Sequence, residues 1–448
     1  MAANKYITSF FAYGITILFS FSLINAESFT LTDCILWALE NKKTVISQKL
    51  NVEIARKDVD GAYSNFKPSI QLFSNKNYIN IPDRVEIIPF FNDTIVTSST
   101  ENLSAGLSLN QKIFNGGRST HQVSLAKDNL NIALLSKRIL VTQVIQNVIE
   151  SYYSLLKGQE LFSVSEKSLE MSNQRVNLIK KQFDLGVIKK SDLLKAEVSL
   201  GQAKVDLLNS KTNLSNYRRV LFNSIGIQDF GQEVSINTEE WVMPNVLTSS
   251  EILKYIKTKN PRVLIADSQI KLSSTNYKLA RGLRLPILNS GLSFSAGGEK
   301  RNDFVKAFKE DWRFAIDFSL TLPIYSGNTL SLNEQKIKLS IRQAENNYIT
   351  LINDLRVQAE LIKELLNNYA EIIPLNESVV ESSKEDLKLV TKRYALGSAT
   401  ILEVLDAQVS LTRSNSSLIN VIYDARIKEF SLDALIGLLD TKYVRRDN

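Results

Sequence analysis

The sequence predicts an exported α+β membrane protein whose subunit is a duplicated unit of two β-strands and long, coiled-coil-like α-helices. Three observations carry this: an apolar N-terminal leader, segments that return at a fixed spacing, and strands with one wholly apolar face.

The leader comes first. Lys5 precedes an almost wholly apolar stretch from Ile7 to Leu23, and the small residue Ala26 stands before Glu27. This is the pattern of a secretory signal peptide over 1–26, cut after Ala26. A membrane anchor would need a longer span with charge on both flanks. The one cysteine, Cys34, leaves no internal disulfide to form and gives no lipid acceptor at the cut. Beyond the leader no run of 18 apolar residues occurs, so helical membrane spans are excluded on length, whereas strands remain possible. The formal charge of +7 comes from 54 basic residues scattered among 47 acidic ones. Scattered charge of this kind is a solvated surface, not a nucleic-acid interface.

The duplication sets the architecture. Phe183-Asp184-Leu185-Gly186 returns as Tyr394-Ala395-Leu396-Gly397, and Ala196-Glu197-Val198-Ser199-Leu200 as Ala407-Gln408-Val409-Ser410-Leu411, both at an offset of 211. The same offset links Ile113-Phe114-Asn115-Gly116 to Ile324-Tyr325-Ser326-Gly327, and Ser224-Ile225-Gly226 to Leu435-Ile436-Gly437. Upstream, Asn65-Phe66-Lys67-Pro68 answers Leu283-Arg284-Leu285-Pro286 at 218, which places a length difference in the loop between repeated strands. Each copy reads helix, strand, strand, long helix, second helix. The stretches Ser119 to Leu185 and Thr329 to Leu396 are interrupted only by Gly158 and Pro374, and each would make a rod of roughly 100 Å. Val141, Ile145, Val148, Tyr152 and Leu155 step by fours and threes, as do Leu351, Leu355, Ile362 and Leu365, which is coiled-coil spacing. Pro374, lacking an N–H, should kink or break the second rod.

The strands fall at about 68–80, 102–114, 287–297 and 312–324. From Trp312 to Ile324, Trp312, Phe314, Ile316, Phe318, Leu320, Leu322 and Ile324 alternate with Arg313, Ala315, Asp317, Ser319, Thr321 and Pro323. Leu103, Ala105, Leu107 and Leu109 alternate with Ser104, Gly106, Ser108 and Asn110, and Leu288, Leu292, Phe294 and Ala296 mark a shorter run. Such dyad segments suit membrane-spanning strands. The links Asn80 to Glu101 and Gly297 to Glu310 are long and mixed in polarity, fit for the exterior. Four strands cannot close a barrel and an open edge cannot face lipid, so the chain must oligomerise; two, three or four protomers would give eight, twelve or sixteen strands.

Together these residues resemble the TolC family of outer-membrane efflux and type I secretion channels over essentially the whole mature chain. The matching motifs are the helix-turn-helix tips, Phe183-Asp184-Leu185-Gly186-Val187 and Tyr394-Ala395-Leu396-Gly397-Ser398. The strand-to-rod junctions, Ile113-Phe114-Asn115-Gly116-Gly117 and Leu322-Pro323-Ile324-Tyr325-Ser326-Gly327, match as well. The resemblance implies a homotrimer with a twelve-stranded barrel continuous with an α-helical periplasmic barrel. It also implies a periplasmic adaptor (membrane fusion) protein and an inner-membrane ABC or proton-driven transporter as partners, with outer-membrane lipid around the barrel. The domains expected are a first repeat over 27–226 with its tip near 184–190, an equatorial linker at 227–248, a second repeat over 249–437 with its tip near 395–401, and a tail at 438–448.

The resemblance also marks residues. Ile401-Leu402-Glu403-Val404-Leu405-Asp406-Ala407 resembles the segment that carries the family's constriction acids. Glu403 and Asp406 share a helix face, and rings of them from three copies would favour and trap cations. The matching first-repeat residues are Asp192 and Lys195. At the closing lock Tyr394 matches, but Ala399 stands where an arginine is expected and Asn177 where an acid is expected. Tyr394 is therefore the expected closed-state contact. Leu185, Gly186, Val187, Leu396, Gly397 and Ser398 are the expected adaptor-docking tips. Catalysis has no residues to use: His121 is the only histidine, and Asn115-Gly116-Gly117 is too short to cradle a phosphate. No enzyme activity, cofactor or metal centre is expected. A rival from another class, an exported structural coiled-coil tether, leaves the apolar strand faces without a use.

Overall fold

The structure, a computed structural model, describes residues 30–80, 84–88, 93–97, 100–227, 247–298 and 301–443. The expected leader, nearly all of the linker at 227–248 and the end of the tail lie outside these residues. The described residues begin with α1 (Leu31–Asn41) and α2 (Lys43–Tyr63) and enter β1 (Ser69–Ile79); a short hairpin, β2 (Arg84–Ile88) and β3 (Asp93–Thr97), precedes β4 (Thr100–Asn115). Two long helices follow, α3 (Arg118–Asp184) and α4 (Lys190–Ile225). The order then repeats as α5 (Ser249–Lys259), α6 (Pro261–Gly282), β5 (Ile287–Gly298), α7 (Arg301–Glu310), β6 (Arg313–Thr321), α8 (Thr329–Ala395) and α9 (Ile401–Ile436), with α10 (Leu439–Tyr443) last.

Several expectations are corrected. The single helix expected before each strand pair is two, split at Lys42 and Asn260, both in extended backbone. The link from Asn80 to Glu101 contains the β2–β3 hairpin, and the link from Gly297 to Glu310 contains α7. The last strand stops at Thr321, short of 324, because Pro323 has no N–H for a ladder. Pro374 does not end its helix: α8 runs unbroken for 67 residues. Asn376, two residues on, accepts a 3.0 Å bond from Ser417 Oγ of α9, which tethers the turn beyond the lost bond. The buried seam of α8 is Ile352, Leu355, Ala359 and Leu366, displaced from the expected Leu351, Ile362 and Leu365, as a 3.6-residue turn drifts past a strict heptad.

The chain divides into two units. One comprises residues 50–135 and 265–350 and holds the main sheet, antiparallel in the order β1-β4-β5-β6. Its register aligns apolar residues on one face, with Leu72, Leu107, Phe294 and Phe314 in one row and Ile70, Leu109, Leu292 and Ile316 in another. Gln71, Ser108, Ser293 and Ala315, and Ser69, Asn110, Gly291 and Asp317, fill rows on the opposite face. A bulge between Lys112 and Phe114 resets the pairing so that Phe114, Leu288 and Leu320 complete a third apolar row. Gly106 is required where strands approach: a Cβ there would lie 2.3 Å from the Phe294 carbonyl oxygen. Below the sheet the turns into α3 and α8 match. Gly116 and Gly117 have positive φ, as do Gly327 and Asn328, the left-handed region that glycine and asparagine tolerate best.

The other unit comprises 1–49, 136–264 and 351–448. Its core joins Ile35 and Ala38 of α1, the α3 stripe of Val141, Ile145, Val148, Tyr152 and Leu155, the α4 end at Leu221 and Ile225, Tyr423 of α9, and Leu439. One window of α3 is apolar and long enough to cross a membrane by composition, but Ile145, Val148 and Ile149 are fully enclosed in this core. The duplication persists in stereochemical detail. α4 and α9 both end at a left-handed glycine, Gly226 and Gly437, whose N–H groups and those of the next residues bond back three and five positions. Against each cap sits one of the helix breaks: Lys42 Nζ donates to the Ser224 carbonyl (3.2 Å), and Asn260 Nδ2 to the Leu435 carbonyl (2.6 Å). Both accepting carbonyls lie two residues before the capping glycine.

Candidate functional site

The ends of α3 and α8 turn into α4 and α9 at two tips that share a small core of Ile179, Ala196, Val390, Ile401, Val404 and Leu405, with Ala399 and Tyr394 packed against it. Ala399, which replaces the expected arginine, is thus an apolar filler. Each turn is closed by the same motif. Gly186 and Gly397 have φ of 73° and 72°, Val187 N–H donates to the Gln182 carbonyl, and Ser398 N–H donates to the Arg393 carbonyl, both at 2.9 Å. Leu185, Val187 and Leu396 project into solvent, with Leu396 83% exposed. Each tip thus presents apolar side chains to solvent on a turn closed by backbone hydrogen bonds.

The second tip has a brace that the first lacks. Thr400 caps α9, its hydroxyl accepting from Glu403 N–H (3.3 Å), while Glu403 Oε1 accepts from the Thr400 N–H and hydroxyl, each at 3.0 Å. Arg393 Nη2 donates to the Ser398 carbonyl (3.1 Å) and lies 3.7 Å from Glu403 Oε2. The Thr400 backbone bond, then its hydroxyl, then Arg393 hold the Glu403 carboxyl below the ordinary carboxylate range. In the first tip the capping position is Lys189, with no side-chain cap.

Asp406, one turn along α9, is exposed and lines a groove of about 660 Å³ between α4 and α9 with Leu194, Val198, Leu402 and Val409. Lys195 and Arg413 line the same groove. Among the described residues Asp406 makes no hydrogen bond or ion pair. On the groove floor Gln408 Nε2 donates to Ser172 Oγ (2.9 Å). Tyr394 donates its hydroxyl to Gln182 Oε1 at 3.1 Å, so the partner is not Asn177. Partial burial and nearby Asp192 raise the Tyr394 phenol pKa. Gln182, Arg393, Thr400 and Gln408 were not singled out from the sequence, although Thr400-x-x-Glu403 is a readable capping signature.

The outer membrane efflux protein family matches residues 35–226 and 253–438. The outer membrane protein TolC of Vibrio cholerae is 23% identical over 91% of this chain and 90% of its own length. The outer membrane efflux protein BepC of Brucella suis is 20% identical over 91% and 85%. Among solved structures, the CmeC outer membrane channel of Campylobacter jejuni superposes with a TM-score of 0.77 at 17% identity, covering 91% of this chain and 86% of that one. The open-state MtrE outer membrane channel of Neisseria gonorrhoeae gives 0.74 at 19%, covering 91% and 89%. With both halves of its duplication matched by the family, this chain belongs to the outer membrane efflux proteins, which are transport channels and not enzymes.

Proposed function

We propose that three copies of this chain close a twelve-stranded barrel in the outer membrane, continuous with an α-helical tunnel in the periplasm. This passive duct serves efflux or type I secretion. A periplasmic adaptor docks on the tips at Leu185, Gly186, Val187, Leu396, Gly397 and Ser398 and recruits an inner-membrane ABC or proton-driven transporter, which supplies the energy. The acids at the start of α9, Glu403 and Asp406, form the constriction, and Tyr394 bonded to Gln182 helps hold it closed.

The observation that carries this reading is the open sheet: among the described residues β1 and β6 each keep one unpaired edge, and an apolar face with Leu72, Phe318 and Leu320 is left exposed. A water-soluble tether would leave that face in water and those edges free to aggregate. In lipid, neighbouring copies must pair the edges. Replacing Gly186 or Gly397 by tryptophan tests the docking role. Assembly into trimers should persist while export in cells is lost; normal export would refute the role.

A further inference from the structure

We infer that the first tip is the charged half of the docking surface, and that Lys180, Lys181, Lys189 and Lys190 receive an acidic face on the adaptor. This rests on the docking reading above and gives the partner a chemistry: carboxylates arranged around a seat for Leu185 and Val187.

Two of these lysines lie near the end of α3 and two at the start of α4, so the four flank the turn that carries Leu185 and Val187. All four are exposed, and among the described residues none of their ammonium groups makes an ion pair or a hydrogen bond. Over residues 180–192 they face only two acids of the chain, Asp184 and Asp192. The second tip answers its cations internally: Lys384 pairs with Glu381, Lys388 with Glu385 and Arg393 with Glu403, at 3.8, 2.9 and 3.7 Å, which leaves Lys392 over. The fold of the first tip does not account for its lysines either. Lys189 occupies the capping position of α4 without capping it, where Thr400 caps α9. Together with Lys190 it sets positive charge at a helix N-terminus, which the macrodipole disfavours. An acidic partner surface relieves this repulsion, steers encounter and fixes register, while Leu185 and Val187, 79% and 70% exposed, become buried against it. A free anion offers no apolar seat, so the surface fits a protein that carries both.

The test is made in cells that express the full-length chain, with p-benzoylphenylalanine at the exposed Ser191 to capture whatever protein docks beside the turn. Wild type is compared with a variant carrying Lys→Gln at all four positions and one carrying Lys→Arg, each checked on a gel for trimers. In parallel, a water-soluble carbodiimide joins a lysine amine to a carboxylate only where the two touch, and peptide mass spectrometry locates the joined residues. We expect isopeptide links from these lysines to Asp or Glu of the protein that Ser191 captures. Capture should fall about tenfold in the glutamine variant and recover to within about twofold in the arginine variant, which keeps the charge. Capture undiminished by glutamine, no recovery with arginine, or lysines joined only to Asp184 and Asp192 of their own chain would overturn the inference. A wild-type trimer that captures no protein at all would reject the docking reading itself, and this inference with it.

Discussion

Gly397 and Gly437 end their helices in the same left-handed motif, with φ of 72° and 78°, yet their surroundings differ. An alanine at either position must hold a Cβ in the left-handed region, which costs about 1–2 kcal/mol. At Gly397 nothing lies within 4 Å of that Cβ, so strain is the whole effect. At Gly437 the Cβ would meet Lys259 C and O at 2.6 Å and Asn260 Cα at 2.7 Å, all backbone, which no side-chain rotation can clear. Forcing α9 away from the α5–α6 break adds an overpacking cost of about 1–3 kcal/mol. It also stretches the bond from Asn260 to the Leu435 carbonyl. Gly437→Ala should therefore lose about 2–5 kcal/mol in total and Gly397→Ala about 1–2. Thermal unfolding of the detergent-purified protein, followed by helical circular dichroism, would rank them. Hydrogen exchange should place the Gly437→Ala loss at the end of α9. Equal losses, or a tolerated Gly437→Ala, would show that the backbone contact at Lys259 and Asn260 does not constrain the end of α9.

Further outcomes follow from other contacts. Asn260→Ala removes the donor to Leu435 and the Oδ1 acceptor for the Arg262 and Val263 N–H groups, and should cost about 1–3 kcal/mol in denaturant unfolding. Tyr423→Phe removes the hydroxyl that donates a 2.7 Å bond to Glu160 Oε1 and should destabilise by about 1–3 kcal/mol, as the same unfolding assay would show. Tyr394→Phe loses the bond to Gln182 but keeps the ring in the tip core, so closed-state conductance should rise less than in Tyr394→Ala; no change in either variant would remove Tyr394 from the closed contact. Because folding lowers the Glu403 pKa from its ordinary value of 4.5, its stabilisation is fully present above that value and is lost as pH falls through the depressed folded value. Tip proteolysis should accelerate only in that acid range, and less so in Glu403→Gln.

The duplication, the α3 stripe and the dyad strands were legible because each rests on periodicity: a fixed offset, a 3.6-residue turn or a two-residue pleat. The sheet register then aligned the residues that alternation had separated, such as Phe314 with Phe294 and Leu107. Where one local signal competed with many contacts, the contacts prevailed. Pro374 removes one hydrogen bond from a 67-residue helix and does not stop it. The break at Lys42 has no glycine or proline to announce it, since it is set by the α4 cap against which Lys42 packs. Its counterpart was written more plainly, with Asn260 capping and Pro261 in the first helical position. At the tip the partner of Tyr394 could not be read, because Gln182 reaches it from a different helix, 212 residues away.

In the proposed assembly neighbouring copies seal the open sheet by pairing β1 of one protomer with β6 of the next. Within one subunit these strands are separated by β4 and β5, a span of about 14 Å that far exceeds the roughly 4–7 Å between Cα atoms a disulfide can bridge. Single cysteines placed along β1 at Ser69, Gln71 or Phe73 and along β6 at Ala315, Asp317 or Ser319, in a Cys34→Ser background, can therefore join only between subunits. Oxidation of native outer membranes should convert one register of pairs into covalent dimers and trimers, with nothing larger. Monomers that stay uncrosslinked in every register, in a protein that is soluble without detergent, would show that the sheet is not sealed between subunits.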